Sequence, residues 1–224
     1  ASDVYKRQNP NKIKMVNVNN KVKVGELSLE FIRVSHSIPD SCAIAVKSPV
    51  GTILFTGDFK MDFTPIDGDP TDIQRIAELG KKGLLALYCD STNVERPGYS
   101  ISEKEVGDTF VRIFGQVTGR IVVATFASNL HRVQQIIYAA EKYNRKVALS
   151  GRSMMNNVKI ASDLGYLKVK NNTLIEMKNI KNYADDEIVV LSTGTQGEPL
   201  SALTRMANSC LLYTSDAADE RSSV

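Results

Sequence analysis

The feature that most constrains the fold is a regular alternation of short apolar runs and longer amphipathic segments in the second half of the chain. The predicted strands are Ile121–Phe126, Lys146–Leu149 and Ile188–Ser192, and the predicted helices are Asn129–Tyr143, Met154–Leu164 and Pro199–Asn208. A shorter strand is predicted at Leu174–Met177 in an otherwise polar, irregular stretch. Strands that alternate with helices in this way are typical of a parallel sheet covered by helices.

The first part of the chain is richer in strands. The predicted strands are Ile13–Val18, Lys21–Val24, Leu27–Val34, Cys42–Val46, Thr52–Thr56 and Leu84–Cys89, the last being a continuous apolar run typical of a buried strand. Asn19-Asn20 is expected to join the first two as a hairpin. One helix is expected from Thr71 or Asp72 through Leu79, ended by Gly80 and Gly83, and a capping box at Ser102–Glu105 is expected to open another. The prediction is an α/β fold, β-rich over residues 9–94 and α/β over residues 95–208.

Composition adds few constraints. Of 224 residues, 42% are hydrophobic and 24% are charged, which is ordinary for a globular protein. No apolar run approaches the roughly 20 residues that span a bilayer, so no membrane partner is expected. The three cysteines suggest no disulfide framework, and a cytoplasmic location is expected. The net charge of +3 permits a nucleic-acid partner without requiring one.

The two ends of the chain share an unusual coding relationship. Asp3–Gln8 can be encoded by a DNA stretch whose reverse complement, shifted by one base, encodes Cys210–Ser215. Such an inverted repeat resembles a transposon end used in sequencing libraries. Residues 1–8 and 209–224 are therefore expected to lie outside the native domains.

Two residues with metal-binding side chains flank a predicted hairpin. His36 precedes the strand Cys42–Val46, and Asp58 follows the strand Thr52–Thr56. Antiparallel pairing brings those two ends to one edge of a sheet, where an imidazole and a carboxylate make half of a zinc or manganese site. The alternative is that His36 packs or caps and that Asp58 stabilises a turn or a helix start. The spacing alone leaves both interpretations open.

The predicted strand-to-helix turns of the second half carry hydrogen-bond donors. The candidate residues are Ser128, Asn129 and Arg132 at the first turn, Arg152 and Ser153 at the second, and Thr195 and Gln196 at the third. Free backbone N–H groups at helix starts bind anions. Three such turns on one sheet edge would form a row of donors suited to a phosphate backbone such as that of RNA. Simple helix capping by Ser128 or Asn129 is the alternative.

Several phrases, in a consistent order over roughly Lys12–Asn208, resemble a known family. They are "SHSIPDS", "ILFTGDFKMD", "YCDSTNVERPGYSISE", "FASNLHRVQQI", "GRSMMNN" and "STGTQGEPLSALTRMAN". They are similar to the ribonuclease J family, in the β-CASP branch of the metallo-β-lactamase superfamily. The resemblance implies part of an αββα metallo-β-lactamase sandwich, followed by part of a β-CASP α/β domain.

The resemblance also implies residue roles. His36 and Asp58 correspond to ligands of two divalent metal ions, with Asp58 bridging them; zinc is expected, with manganese or magnesium as alternatives. Asp90 corresponds to an acidic residue beside the active site, although it could equally cap a turn through Ser91 and Thr92. The implied catalytic residues are therefore His36, Asp58 and Asp90.

The implied activity is hydrolysis of RNA phosphodiesters by a metal-bridged hydroxide, both from the 5′ end and internally. The family's His-x-His-x-Asp-His motif, its His-x-Ser-Gly-His segment and its final histidine are absent, so the chain is expected to be an inactive fragment. RNA is the expected partner, and a homo-oligomer (dimer or tetramer) or an RNA-decay complex is expected for the parent protein. The alternatives are a small-molecule metallo-hydrolase of the glyoxalase II or lactonase kind, and a non-catalytic RNA-binding or scaffold protein.

Overall fold

The computed structural model describes residues 14–66, 68–199 and 201–208, and the chain divides into two compact units. The first unit contains residues 14–35, Asp40–Met61 and Pro70–Gly98. Of the described residues, the second contains His36–Pro39, residues 62–66 and 68–69, and residues 99–199 and 201–208. Two short segments from the first part of the sequence therefore belong with the second unit, a division that the strand and helix pattern does not predict.

The first unit is built on a five-stranded sheet with the strand order β1-β2-β3-β4-β5. Its strands are β1 (Lys21–Val24), β2 (Leu27–Arg33), β3 (Cys42–Ser48), β4 (Gly51–Phe55) and β5 (Ala86–Tyr88). The first four strands pair antiparallel, and β5 pairs parallel to β4. The predicted antiparallel run of strands is thereby confirmed, and the parallel strand places the ends of β4 and β5 at the same edge.

One face of this sheet is covered by helix α1 (Ile73–Lys82), which begins at Asp72, whose carboxylate accepts a hydrogen bond from the Arg75 amide at 2.9 Å. Ile32, Ala43, Ala45 and Leu54 are buried with Leu79 of this helix. Because side chains alternate along a strand, their neighbours point to the opposite face. On that face the apolar side chains are only half-buried or exposed, and they include those of Leu27, Leu29, Phe31, Ile44, Val46, Ile53, Phe55 and Tyr88.

Three sequence predictions for this unit are wrong. The described residues 14–18 form no strand, and β1 instead pairs with β2 across a turn at Gly25, whose φ of 61° glycine adopts without the steric cost of a Cβ atom. Helix α1 continues through Gly80 and ends at Gly83, because one glycine costs a helix only about 1 kcal/mol. The strand β5 exists, but 55% of Leu87 is exposed because β5 lies at the sheet edge among the described strands.

The second unit contains a four-stranded sheet with the order β6-β9-β7-β8, in which every pair is parallel. Its strands are β6 (Ile121–Ala124), β7 (Lys146–Ser150), β8 (Leu174–Ile175) and β9 (Ile188–Ser192). The helices are α2 (Glu103–Gln116), α3 (Leu130–Lys142), α4 (Arg152–Asp163) and α5 (Ala202–Ala207), with short 3₁₀ helices at Met177–Asn182 and Asp185–Glu187. The predicted α/β class and parallel sheet are confirmed. Within the described ranges, no helix is long and apolar enough to cross a membrane.

The last described strand in sequence, β9, is the best buried strand of this sheet. Val189 and Leu191 pack in a core with α3 and α4, whereas Ile188 and Val190 pack on the opposite face with Ile180. A strand in a parallel sheet that is covered on both faces has a continuous apolar sequence, and residues 188–191 show this pattern. The carboxyl end of this buried strand therefore has a well-fixed position between its neighbours β6 and β7.

Candidate functional site

The parallel pairing of β4 and β5 places two acidic residues at one edge of the first unit. Asp58 follows β4 and Asp90 follows β5. The Thr56 amide donates a hydrogen bond to the Tyr88 carbonyl oxygen at 2.9 Å, and the Asp90 amide donates to Thr56 Oγ1 at 3.0 Å. These bonds continue the pairing of β4 and β5 up to the turns that contain Asp58 and Asp90.

Asp90 also has a local structural role. Its Oδ1 accepts hydrogen bonds from the Thr92 amide at 3.0 Å and from Thr92 Oγ1 at 2.7 Å. This is the turn-capping arrangement that asparagine and aspartate favour. The structure thus shows the turn, and a role for Asp90 beside an active site stays a prediction.

The backbone around His36 is fixed by hydrogen bonds on both sides. The Ser35 carbonyl oxygen accepts from the Lys60 amide at 2.7 Å within the first unit. The Ser37 carbonyl oxygen accepts from the His131 amide at 3.4 Å within the second unit. Lys60 is two residues beyond Asp58, so the first bond joins the chain segments that precede His36 and follow Asp58.

The described residues do not fit a complete metal centre. Across the ranges that the structure describes, no three histidine, cysteine, aspartate or glutamate side chains lie close enough to hold a metal ion. Catalytic zinc sites use three protein ligands and structural sites use four. The whole chain has two histidines. His131, the second, lies in α3 with its Nε2 buried, and no described residue forms a hydrogen bond with that atom.

We therefore expect no tight two-ion binding when this chain is titrated with Zn²⁺ or Mn²⁺ in a calorimeter, because His36 and Asp58 supply too few ligands for two ions. An Asp58→Asn variant is the matched comparison, since it removes the ligand charge and keeps the side-chain shape. Saturable binding of two ions per chain that is lost in Asp58→Asn would contradict the expectation.

The three strand-to-helix turns of the second unit follow adjacent parallel strands, in the order β6, β9, β7. Their carboxyl ends lie at one sheet edge, which we call the donor edge: residues 125–129, 151–153 and 193–198. A Cβ atom on Gly151 would lie 3.1 Å from Thr193 Oγ1, so the second and third turns are in contact. Asn157 Nδ2 of α4 donates to the Ala127 carbonyl oxygen at 2.9 Å and joins the first turn to them. Sequence reasoning missed Asn157, because a polar residue on a helix carries no distinguishing signal.

The predicted donor residues of this edge differ in their exposure to solvent and in their hydrogen bonds. Ser128, Arg152, Ser153, Thr195 and Gln196 are exposed. Asn129 is buried, and its side chain accepts from the Arg132 amide at 3.0 Å, so it caps α3. Helix α4 begins after Gly151, whose φ is 103°, and no side chain among the described residues caps it. Its first N–H groups are therefore not satisfied by a capping side chain of their own helix.

Arg132 is already paired with a carboxylate. Its Nη2 lies 2.6 Å from Glu103 Oε1, and 30% of the arginine side chain is exposed. Sequence reasoning treated Glu103 only as part of a capping box. No local pattern could have joined it to a residue 29 positions along the chain.

The donor edge lies in a part of the chain that is similar to a known protein family. Residues 118–211 match a family model described as ribonuclease J, β-CASP domain. Over 196 residues the chain is 45% identical to ribonuclease J of Thermus thermophilus, covering 87% of this chain. The chain is homologous to a segment of ribonuclease J. The motif resemblance is thereby confirmed, and the matched residues include all three turns of the donor edge.

Other ribonuclease J proteins are similar to the same extent. Identity is 48% over 180 residues with the Synechocystis protein, covering 80% of this chain, and 49% over 183 residues with the Mycobacterium tuberculosis protein, covering 82%. The chain spans 34%, 28% and 33% of the Thermus, Synechocystis and Mycobacterium ribonuclease J proteins, respectively. It is thus similar to about a third of each.

A solved structure supports the fold alone. The crystal structure of a protein of unknown function from Enterococcus faecalis V583 superposes with a TM-score of 0.57 at 18% sequence identity. The superposition covers 83% of this chain and 46% of that one. The arrangement of helices and strands is therefore shared with an experimentally determined protein.

Proposed function

We propose that this chain is the RNA-contacting segment of a ribonuclease, and that its donor edge binds the phosphate backbone of RNA. The observation that supports this most directly is the coincidence of two findings. The chain is 44–49% identical to ribonuclease J proteins, and its sheet places three strand-to-helix turns side by side. For the whole protein, the proposed reaction is hydrolysis of RNA phosphodiesters, both from the 5′ end and internally.

The chemistry of the donor edge suits phosphate. A helix start carries about half a positive charge and unpaired N–H groups, and α4 begins without a side-chain cap. Arg152 and Ser153 add an exposed guanidinium and an exposed hydroxyl at that start. Contacts of this kind recognise the backbone and not the base, so binding should tolerate different RNA sequences.

Metal dependence is a second part of the proposal. By their correspondence with the family motifs, His36 and Asp58 would serve as two of the ligands of a divalent metal centre, with zinc favoured over manganese or magnesium, and Asp90 would lie beside it. The shared edge of Asp58 and Asp90 supports this grouping. When bound, such ions would supply an acidified water and neutralise phosphate charge. We also propose that the parent protein works as a homo-oligomer or in an RNA-decay complex.

Reversing the charge of Arg152 tests the donor edge. We expect Arg152→Glu to weaken binding of a 5′-phosphorylated single-stranded RNA by about 10- to 100-fold, the loss that one hydrogen bond to a charged group represents. Helix stability should not fall, because an acidic residue is favourable at a helix N-terminus. Fluorescence anisotropy of a labelled 10-nucleotide RNA measures the affinity, and gel electrophoresis should show that the RNA stays intact.

Lys142→Glu is the matched control, because Lys142 is an exposed cation in the last turn of α3, at the opposite end from the donor edge. Its charge change is the same, so a purely non-specific effect of net charge would appear in both variants. Equal weakening by Arg152→Glu and Lys142→Glu would remove the donor edge from the proposal. Absence of RNA binding by the unaltered chain would remove RNA binding altogether.

A further inference from the structure

Glu103, the first residue of α2, is hydrogen-bonded through three of its groups. Its amide donates to Asp62 Oδ2 at 3.0 Å, and its carbonyl oxygen accepts from Gln135 Nε2 at 2.5 Å. Its Oε1 accepts from Arg132 Nη2 at 2.6 Å, and only 13% of the glutamate side chain is exposed. Glu103 thus joins the segment around Asp62 to two residues of helix α3.

At one end of this network, the carboxylate of Asp62 is held in place by several hydrogen bonds. Asp62 is 6% exposed, and its Oδ2 also accepts from Ser102 Oγ at 3.1 Å while its Oδ1 accepts from the Thr64 amide at 3.0 Å. A buried carboxylate that accepts several hydrogen bonds is held in a single orientation. The first turn of α2, and Glu103 within it, therefore has a fixed position.

Close helix packing lets Gln135 reach Glu103. A Cβ atom on Gly107 would lie 2.4 Å from Gln135 Nε2, so any larger residue at that position would push Gln135 away. Gln135 itself is 8% exposed and lies in α3 three residues beyond Arg132. The two helices are consequently held in one register at the end where α3 begins.

The other end of the network is the first turn of the donor edge. Arg132 lies in the first turn of α3, and its amide donates to the cap residue Asn129 at 3.0 Å. We propose that Glu103 is a positioning residue for RNA binding, which holds the Arg132 guanidinium beside this turn in the orientation that meets a phosphate. The inference rests on the proposed function. A guanidinium has five N–H donors, so the bond to Glu103 leaves others for a phosphate oxygen.

We expect Glu103 to strengthen RNA binding because it reduces the conformational entropy that the Arg132 side chain loses on binding. A long arginine side chain that is free in solution loses rotamer freedom when it binds a ligand, and a side chain already held by a carboxylate has lost it beforehand. We expect Glu103→Gln, which keeps the shape and removes the charge, to raise the Kd for a 5′-phosphorylated 10-nucleotide RNA by about 2- to 10-fold, the range for ordering one long side chain. Anisotropy on the full 224-residue chain measures it.

Asp185→Asn is the matched control. Asp185 Oδ1 lies 2.6 Å from Arg120 Nη2, so this variant weakens an arginine–carboxylate pair of the same length in the same unit. Asp185 precedes β9 and Arg120 precedes β6, which places this pair at the amino ends of the strands, opposite the donor edge. The control should leave the Kd unchanged. A rise equal to that of Glu103→Gln would overturn the proposal.

Arg132→Ala separates positioning from general support of the helix. If Glu103 acts through Arg132, Glu103→Gln has no further effect on the Kd once Arg132 is alanine. An undiminished effect in that background would overturn the proposal, because it would show that Glu103 supports the turn by another route.

An NMR measurement without RNA tests whether Glu103 holds Arg132 independently of whether the chain binds RNA. The Arg132 guanidinium N–H signal in ¹⁵N NMR should be protected from exchange with water in the unaltered chain and should lose that protection in Glu103→Gln. Unchanged protection would overturn the positioning role. If the unaltered chain binds no RNA, the proposed function fails and so does the role in RNA binding, while the NMR result still decides whether Glu103 holds Arg132.

Discussion

Replacing Glu30 with alanine is expected to lower the free energy of unfolding by about 3 kcal/mol, at the lower end of the roughly 3–5 kcal/mol for breaking a buried ion pair. Glu30 is 6% exposed and accepts from Arg75 Nε at 2.6 Å and from Arg75 Nη2 at 3.0 Å. Lys47 and Lys21 lie 3.6 and 3.9 Å from its Oε2. Its removal leaves three cations close together without their central carboxylate. The lower end applies because 20% of the Arg75 side chain is exposed.

Glu78→Ala is the control, because Glu78 binds the same arginine at 2.6 Å with 45% of its side chain exposed. Exposed ion pairs contribute little to stability, so this variant should lower the free energy of unfolding far less. Urea denaturation followed by circular dichroism gives both free energies. Similar losses in the two variants would show that burial of Glu30 does not set the size of the effect.

The same ion pair predicts a pH dependence. The hydrogen bonds from Arg75 hold the pKa of Glu30 below its ordinary value, against the opposing effect of burial. A carboxyl whose pKa is depressed on folding stabilises the protein above its unfolded-state pKa of about 4.3, and this contribution is lost as the pH falls through the folded-state pKa. The stability difference between the unaltered chain and Glu30→Gln should therefore shrink steadily as the pH is lowered below about 5. A difference that stays constant down to pH 3 would contradict the assignment.

Gly194→Ala is expected to destabilise the second unit and to reduce RNA binding. Gly194 has a φ of 119°, and a Cβ atom there would lie 2.4 Å from Ser201 Oγ and 2.9 Å from Leu203 Cβ. The strained backbone and the overpacking should each cost about 1–3 kcal/mol. The clash can be relieved by a shift of the third turn of the donor edge or of the start of α5, and we expect RNA binding to fall because a shift of the turn would displace Thr195 and Gln196.

Gly197→Ala separates steric overlap from backbone strain. Gly197 lies in the same turn with a φ of 70°, but a Cβ atom there would meet no atom within 4 Å. This variant should show only the cost of the strained φ, about 1–3 kcal/mol. Thermal unfolding and RNA anisotropy on both variants measure the difference. If the two variants behave alike, close packing at Gly194 is not what shapes the turn.

Local patterns predicted much of the second unit. Helix α3 begins one residue after the predicted start, because Asn129 acts as its cap, and β9 has the predicted bounds. Both signals are contained in a few consecutive residues: an apolar periodicity of 3.6 bounded by a capping side chain, and an unbroken β-branched run. The same reasoning failed for residues 14–18, where an apolar alternation pairs with no strand among the described residues.

The family relationship was readable from motifs, because consecutive residues carry them. Local sequence patterns did not predict three features of the structure. These are the ion pair between Glu103 and Arg132, the buried ion pair between Glu30 and Arg75, and the exposure of β5. Arg132 appeared as a free donor until the fold placed Glu103 beside it.

The amino-acid order alone specified an α/β chain with parallel strands, three donor-bearing turns and a likeness to a nucleic-acid-processing family. The fold added the order β6-β9-β7-β8, which places β9, the last described strand in sequence, in the interior of the sheet and gathers the turns at one edge. It also assigned residues 36–39, 62–66 and 68–69 to the second unit. Strand order and ion-pair partners depend on contacts between residues tens of positions apart, whereas periodicity and caps report only on neighbours within a few residues.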